Sequence, residues 1–372
     1  MRALLIALVL ALPAAPLPAQ TTAALRALWA EFPALPPGER VEIGFGDLRA
    51  ARDLDVSAVE GAQRDPALLA LRAVPAGPWQ QSVGGHPHDG WRGAVGFAPS
   101  DVLRLASLSA PPVQASVIEL APGASAAVPP ALAARGYAET PRFGLTAWAR
   151  GAEDFGADLR ARDPNDPFDG GLGRSSRVQV QGDRLRQAVA WPVLAALGGS
   201  PGLTDGAHVA ALLGALDRIT GAGPLIGATL WTDAGGLGLS DPLEIATGRA
   251  APPAGPPVAW GMALFADLSD GADSTAVLAL TVTLPDAATA ERLRARVEAA
   301  WSDRRTAAGT SFAGLTGGPL RASMAEAAPG LWVLALAQTR PTEVYAGGLT
   351  RNATLDRLLR GAMMRDLVFL MP

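Results

Sequence analysis

The 372-residue chain has no cysteine, which excludes thiol nucleophiles, disulfides, iron–sulfur clusters and cysteine-ligated zinc. Lysine is missing too, because every one of the 31 basic residues is arginine. P-loop, Schiff-base and protein-kinase chemistry fall away with it. Aromatic residues make up only 5% of the chain and tyrosine occurs twice, too little for the aromatic girdles of an outer-membrane barrel. A net charge of −4 supplies no basic footprint for nucleic acid. Long apolar runs are scarce as well. The best candidate, Val209–Trp231, is interrupted by Asp217 and Arg218, whereas a spanning helix needs ~20 apolar residues in a row.

What is present begins with an export signal. Met1-Arg2 gives a charged start, Ala3–Leu12 a short apolar stretch, and Pro13–Ala19 a helix-breaking, small-residue cleavage region. Residues 1–19 are expected to be removed as a signal peptide, leaving a periplasmic or secreted protein with no membrane span. Without cysteine no lipid can be attached at the new N-terminus.

The remaining sequence is 49% hydrophobic over the whole chain, ample for a core, and its patterning mixes helical and strand periods. Strands are expected at Val41–Phe45, Ala115–Leu120, Phe143–Ala149, and in a hairpin of Arg177–Gln181 and Arg184–Ala190 turned by Gly182-Asp183. Asp47 is placed to cap a helix, Ser100 to cap another over Asp101–Ser107, and Pro129-Pro130 opens one that Gly136 ends. Further on, strands are expected at Trp260–Phe265, Val277–Leu284, Ser311–Leu315, Leu320–Met324 and Leu331–Ala337, with a terminal strand at Leu367–Leu370. Helices fit Asp205–Ile219, the segment from Pro285 with its stripe of Ala290, Leu293, Val297 and Trp301, and Thr354–Met363.

These elements predict an α+β fold of two ferredoxin-like (split βαβ-type) units with mainly antiparallel sheets, preceded by N-terminal helices. The expected organisation is an N-terminal α+β unit over residues 20–200, a helical connector with a proline-rich linker over 201–256, and a C-terminal α+β unit over 257–372.

Chemistry-bearing patterns are few. His86, His88 and Asp89 could converge on a divalent metal, the one cofactor the residues allow, and would centre a metal-dependent hydrolase. The patterns of metallo-β-lactamases and cupins fail, because Asp89 follows His88 directly and Arg92-Gly93 stand where a glutamate would be needed. Trp79 and Trp91 flank that loop and could stack on a glycan or peptide. Asp163, Asn165, Asp166 and Asp169 offer oxygens for calcium, but Pro164 and Pro167 break the spacing of a calcium loop. Gly198-Gly199-Ser200-Pro201-Gly202 spells a nucleophile elbow, yet proline after the serine has no N–H for an oxyanion hole. The sequence therefore points to an exported soluble protein of binding or envelope-associated structural type. Its small-molecule, glycan or protein partner is unspecified.

Overall fold

The computed structural model describes residues 22–35, 40–75, 88–151, 153–163, 166–168, 173–219, 221–235, 237 and 258–371, of which 88–90, 161 and 346 are described by backbone alone. The signal segment 1–19 and most of the proline-rich linker lie outside these residues. Among them no helix is long and apolar enough to cross a membrane.

The chain is α+β, built on one antiparallel sheet of twelve strands. In chain order these are β1 (Glu42–Asp47), β2 (Val102–Ala110), β3 (Val113–Leu120), β4 (Ala138–Arg142), β5 (Leu145–Arg150), β6 (Ser176–Gln181) and β7 (Arg184–Ala188). β8 (Leu225–Trp231), β9 (Trp260–Ser269), β10 (Asp273–Thr283), β11 (Arg321–Ala328) and β12 (Leu331–Pro341) complete it. Their spatial order is β11-β12-β10-β9-β8-β1-β2-β3-β7-β6-β5-β4. A separate ribbon pairs β13 (Glu343–Val344) with β14 (Thr350–Arg351).

The sequence order folds back on itself at the β8–β1 seam, where Ile43 faces Leu230 across the ladder. On one side β1, β2 and β3 form a meander. On the other, β8, β9 and β10 do the same. A helix then carries each meander onward to a strand beyond its neighbour. Helix Val128–Ala134 takes the chain from β3 to β4, and helix Ala287–Asp303 takes it from β10 to β11. β10 and β11 thus run parallel with β12 between them, antiparallel to both.

Ten α-helices among the described residues cover the two faces. Three lie on one face: α1 (Ala23–Trp29), α6 (Trp191–Ala196) and α7 (Ala207–Asp217), sharing a core with Ile43, Phe45, Leu230 and Leu264. The other face carries two cores. Over the first half pack α2 (Leu48–Arg52), α3 (Pro66–Leu71), α4 (His88–Val95) and α5 (Val128–Ala134). Over the second half pack α8 (Ala287–Asp303), α9 (Phe312–Thr316) and α10 (Ala353–Met363). A sheet covered on both faces explains why β10 and β12 read as almost continuous apolar runs.

Three expectations are corrected. Asp101–Ser107 is not a helix: only one turn of 3₁₀ helix forms at Pro99–Asp101, and the residues beyond become β2. Leu105 and Leu108 point to opposite cores there, so pairing with β1 and β3 on both sides outweighs the local cap signal. Ser311–Leu315 is not a strand but the start of α9, with the Ser311 side chain accepting from Gly314 N. Leu367–Leu370 is a buried turn rather than a strand, with Val368–Leu370 in 3₁₀ conformation. The region read as a helical connector holds α7 and also β8, a strand at the centre of the sheet.

Candidate functional site

The residues singled out from sequence do not assemble. Trp79 and His86 lie outside the described residues. His88 and Asp89 begin the backbone of α4. Trp91, three residues on, is 1% exposed and meets Phe97 edge-on at 5.8 Å. It is a core side chain and offers no open face for stacking, which corrects its reading as a binding platform. Among the described residues no three His, Asp or Glu side chains gather as a metal site requires.

The acidic insertion is equally occupied. Asp163 is ion-paired with Arg135. Asp166 is wholly buried, holding Arg150 at 2.6 Å while accepting from Tyr137 Oη at 3.0 Å and from Phe168 N at 2.8 Å. Burial and the Asp166 charge push the Tyr137 phenol well above its ordinary range. These carboxylates fasten a loop to the sheet. Ser200 sits exposed in the turn between α6 and α7.

Two concavities lie on opposite faces of the sheet, one over the β8–β1 seam and one beside the end of β8 and the start of β9. The first is a polar notch of about 130 Å³ over the seam between the two cores. It exists because β1 carries Gly44 and Gly46: a Cβ on Gly46 would lie 1.8 Å from the Ala73 carbonyl oxygen. The segment 73–75 can therefore cross the strand and deliver Arg72 to Asp267 of β9. Asn352, which caps α10 through its Oδ1, donates its Nδ2–H to the same carboxylate at 2.9 Å. At the rim stand Arg351 and Asp356, 3.7 Å apart. Burial raises the Asp356 carboxyl above its ordinary value, and Arg351 only partly offsets this.

The second concavity is larger, about 390 Å³, and mostly apolar. Leu35, Leu203, Val209 and Met262 form its walls, and His208 on the first turn of α7 supplies a polar group. The ring lies against Gly261 of β9, where a Cβ would come within 3.2 Å of it. His208 Nδ1 is 2.9 Å from Thr281 Oγ1 on β10, and that hydroxyl accepts from Met262 N–H at 2.8 Å. We assign the hydroxyl proton to Nδ1, which places the proton of a neutral ring on Nε2. Nε2 has no partner among the described residues. Beyond it, Asp233 lies at the exposed rim and accepts from Gly235 N.

A volume of several hundred cubic ångströms, apolar walls and a few fixed polar groups are the usual properties of a small-molecule site. His208 belongs to no motif in the sequence, so its local pattern does not mark it as a site residue. The signal that would have found it is an imidazole on the first turn of a helix whose cap, Gly206, has no side chain.

No family pattern and no curated protein matches the chain. Among solved structures it is similar to two crystal forms of TP0453. Crystal form III is 9% identical at a TM-score of 0.34, covering 84% of this chain and 94% of that one. Crystal form I is 10% identical, also at 0.34, covering 90% of this chain and 98% of that one.

Proposed function

We propose that the chain is an exported binding protein without catalytic chemistry, acting in the periplasm or outside the cell, and that its ligand occupies the cleft beside His208. The observation that carries this reading is the pairing of a ligand-sized apolar volume with one oriented imidazole. A general base needs a nucleophile or an acid partner within reach. Here the hydroxyl within reach, Thr281 Oγ1, is fully buried and accepts from Met262 N–H, so it does not meet a substrate. Such an arrangement orients a bound molecule.

The two halves of the sheet also support a finer reading, of two split βαβ-type units joined edge to edge at β8 and β1. Each half has a three-strand meander followed by a crossing helix.

The test is uptake of a neutral apolar probe, N-phenylnaphthylamine, by the mature chain. Fluorescence should rise on binding. Ala207→Trp should abolish the rise, since Ala207 is exposed and lines the cleft. Equal uptake by the variant would move the site elsewhere, and no uptake by either would remove the proposal. Export itself is checked by N-terminal sequencing of the mature protein, which should begin at Gln20.

A further inference from the structure

We infer that the notch over the β8–β1 seam is a second binding site, built for a small apolar α-amino acid in its zwitterionic form. It lies on the opposite face of the sheet from the cleft beside His208, so each site is tested without the other.

The fold leaves a donor unspent here. Arg72 lines the notch with a side chain only 2% exposed. Its Nε and Nη2 are both turned to Asp267, and Nη2 also reaches Ser274. Nη1, on the edge of the guanidinium away from that carboxylate, has no hydrogen-bond partner. Asp267 is fully committed, held by Arg72 at both oxygens and by Asn352 Nδ2 at one. A buried N–H without an acceptor costs free energy that a ligand oxygen restores. At the rim, Arg351 lies 5.6 Å from the Tyr345 ring and 3.7 Å from Asp356, too far from the carboxylate for a hydrogen bond. Both members of this loose pair line the notch with hydrogen-bonding capacity to spare.

The charges around the notch fix the class of ligand. Arg72 and Arg351 are positive, and Asp267 and Asp356 are negative. Glu343 stands opposite Arg351 on the β13–β14 ribbon, and Arg360 acts on Asp356 from the same helix. A bare anion would meet these carboxylates, and a bare cation would meet the guanidinium groups. A zwitterion avoids both penalties. Its carboxylate takes Arg72 Nη1 and Arg351, and its ammonium takes Asp356, each a charge-assisted hydrogen bond. Asp356 and Asp267 feel one another's charge, so the acceptor stands close to the donor that Asp267 holds. Leu71, Pro75, Leu355 and Leu359 supply apolar wall for the side chain, and a space of about 130 Å³ limits it to a short one.

The experiment is titration calorimetry on the mature full chain with L-valine, 3-methylbutanoate and isobutylamine, the last two being valine without its amine and without its carboxylate. Valine should bind at least about tenfold more tightly than either. Asp356→Asn keeps the shape of the side chain and removes its charge. This variant should lose about tenfold in valine affinity and keep its affinity for 3-methylbutanoate. Saturating valine should leave the uptake of N-phenylnaphthylamine unchanged, since the two sites lie on opposite faces. Valine binding no tighter than 3-methylbutanoate would overturn the ammonium contact, and binding no tighter than isobutylamine would overturn the carboxylate contact. Binding of none of the three would overturn the site, whatever the cleft takes up.

Discussion

Arg72 and Asp267 lie 195 residues apart in the chain and meet in a two-pronged ion pair, Nε to Oδ2 at 2.7 Å and Nη2 to Oδ1 at 2.8 Å. Their side chains are 2% and 5% exposed. Arg72 Nη2 also donates to Ser274 Oγ at 2.7 Å, so a residue from the first half of the chain is bonded to two adjacent strands of the second. Removing one partner of such a pair leaves the other charge buried and costs about 3–5 kcal/mol. Asp267→Ala should therefore lower the urea midpoint sharply. The double variant Arg72→Met/Asp267→Leu should recover much of the loss, because no charge is stranded. A single variant with an unchanged midpoint would show that the pair holds nothing together.

This bolt was invisible in the sequence, and the reason is physical. Strand and helix periods are local signals, and they located β1, β3, the β6–β7 hairpin, β10, α8 and α10 with small boundary errors. The strand period of β10 turns Leu278, Leu280 and Val282 to one face, and all three lie in the second-half core. What decides the rest is contact between distant segments. β2 is a strand because β1 and β3 flank it, and β8 was overlooked because Gly227 dilutes its pattern. Segment 73–75 passes over the seam beside that glycine. The cleft depends on the same kind of convergence, since Leu35, His208, Asp233 and Met262 come from four separate segments.

Asp356 makes stability depend on pH at the notch. Its folded carboxyl titrates above the ordinary value of 3.8, chiefly through burial. The folded state therefore holds the proton more tightly than the unfolded chain does. The resulting stabilisation is fully present below the unfolded value and is lost as pH rises through the folded one. Asp267 raises the folded value further, and Arg351 and Arg360 oppose it. Asp356→Asn should flatten the stability curve over that acid window and leave the protein at least as stable at neutral pH. A parent curve that rises through the window by as much as the variant's would contradict this.

Gly261 holds the imidazole in place by having no side chain. A methyl group there would lie 2.7 Å from Thr281 Oγ1 and 3.2 Å from the His208 ring. Gly261→Ala should displace His208 from Thr281 and narrow the cleft, at a cost of about 1–3 kcal/mol. Proton NMR should show the His208 ring signals shifted, with the spectrum of the first-half core unchanged. Ring signals that do not move would mean the ring is not anchored at this strand.

The end of the chain is predicted to be indispensable. Leu367, Phe369 and Leu370 are fully buried. Phe369 packs against Trp301 and Phe312 with both centroid separations at 4.8 Å. Gly361 of α10 makes room for Leu367, since a Cβ there would come within 2.8 Å of its side chain. Asp366 fixes the approach, its carboxylate accepting from Ala307 N and its amide donating to Gly361 O. Each apolar side chain buried this way contributes about 1.5–3 kcal/mol before chain entropy is charged. With Val368, 8% exposed, four such side chains approach the ~5–15 kcal/mol that separates a folded domain from its unfolded chain. Deleting Leu367–Pro372 should therefore abolish soluble expression. Phe369→Ala is the gentler case, expected to fold with a loss of about 3–5 kcal/mol as the Trp301–Phe312 pocket is left empty. Chemical denaturation measures it, and a variant within experimental error of the parent would show that the aromatic trio does not carry this corner of the core.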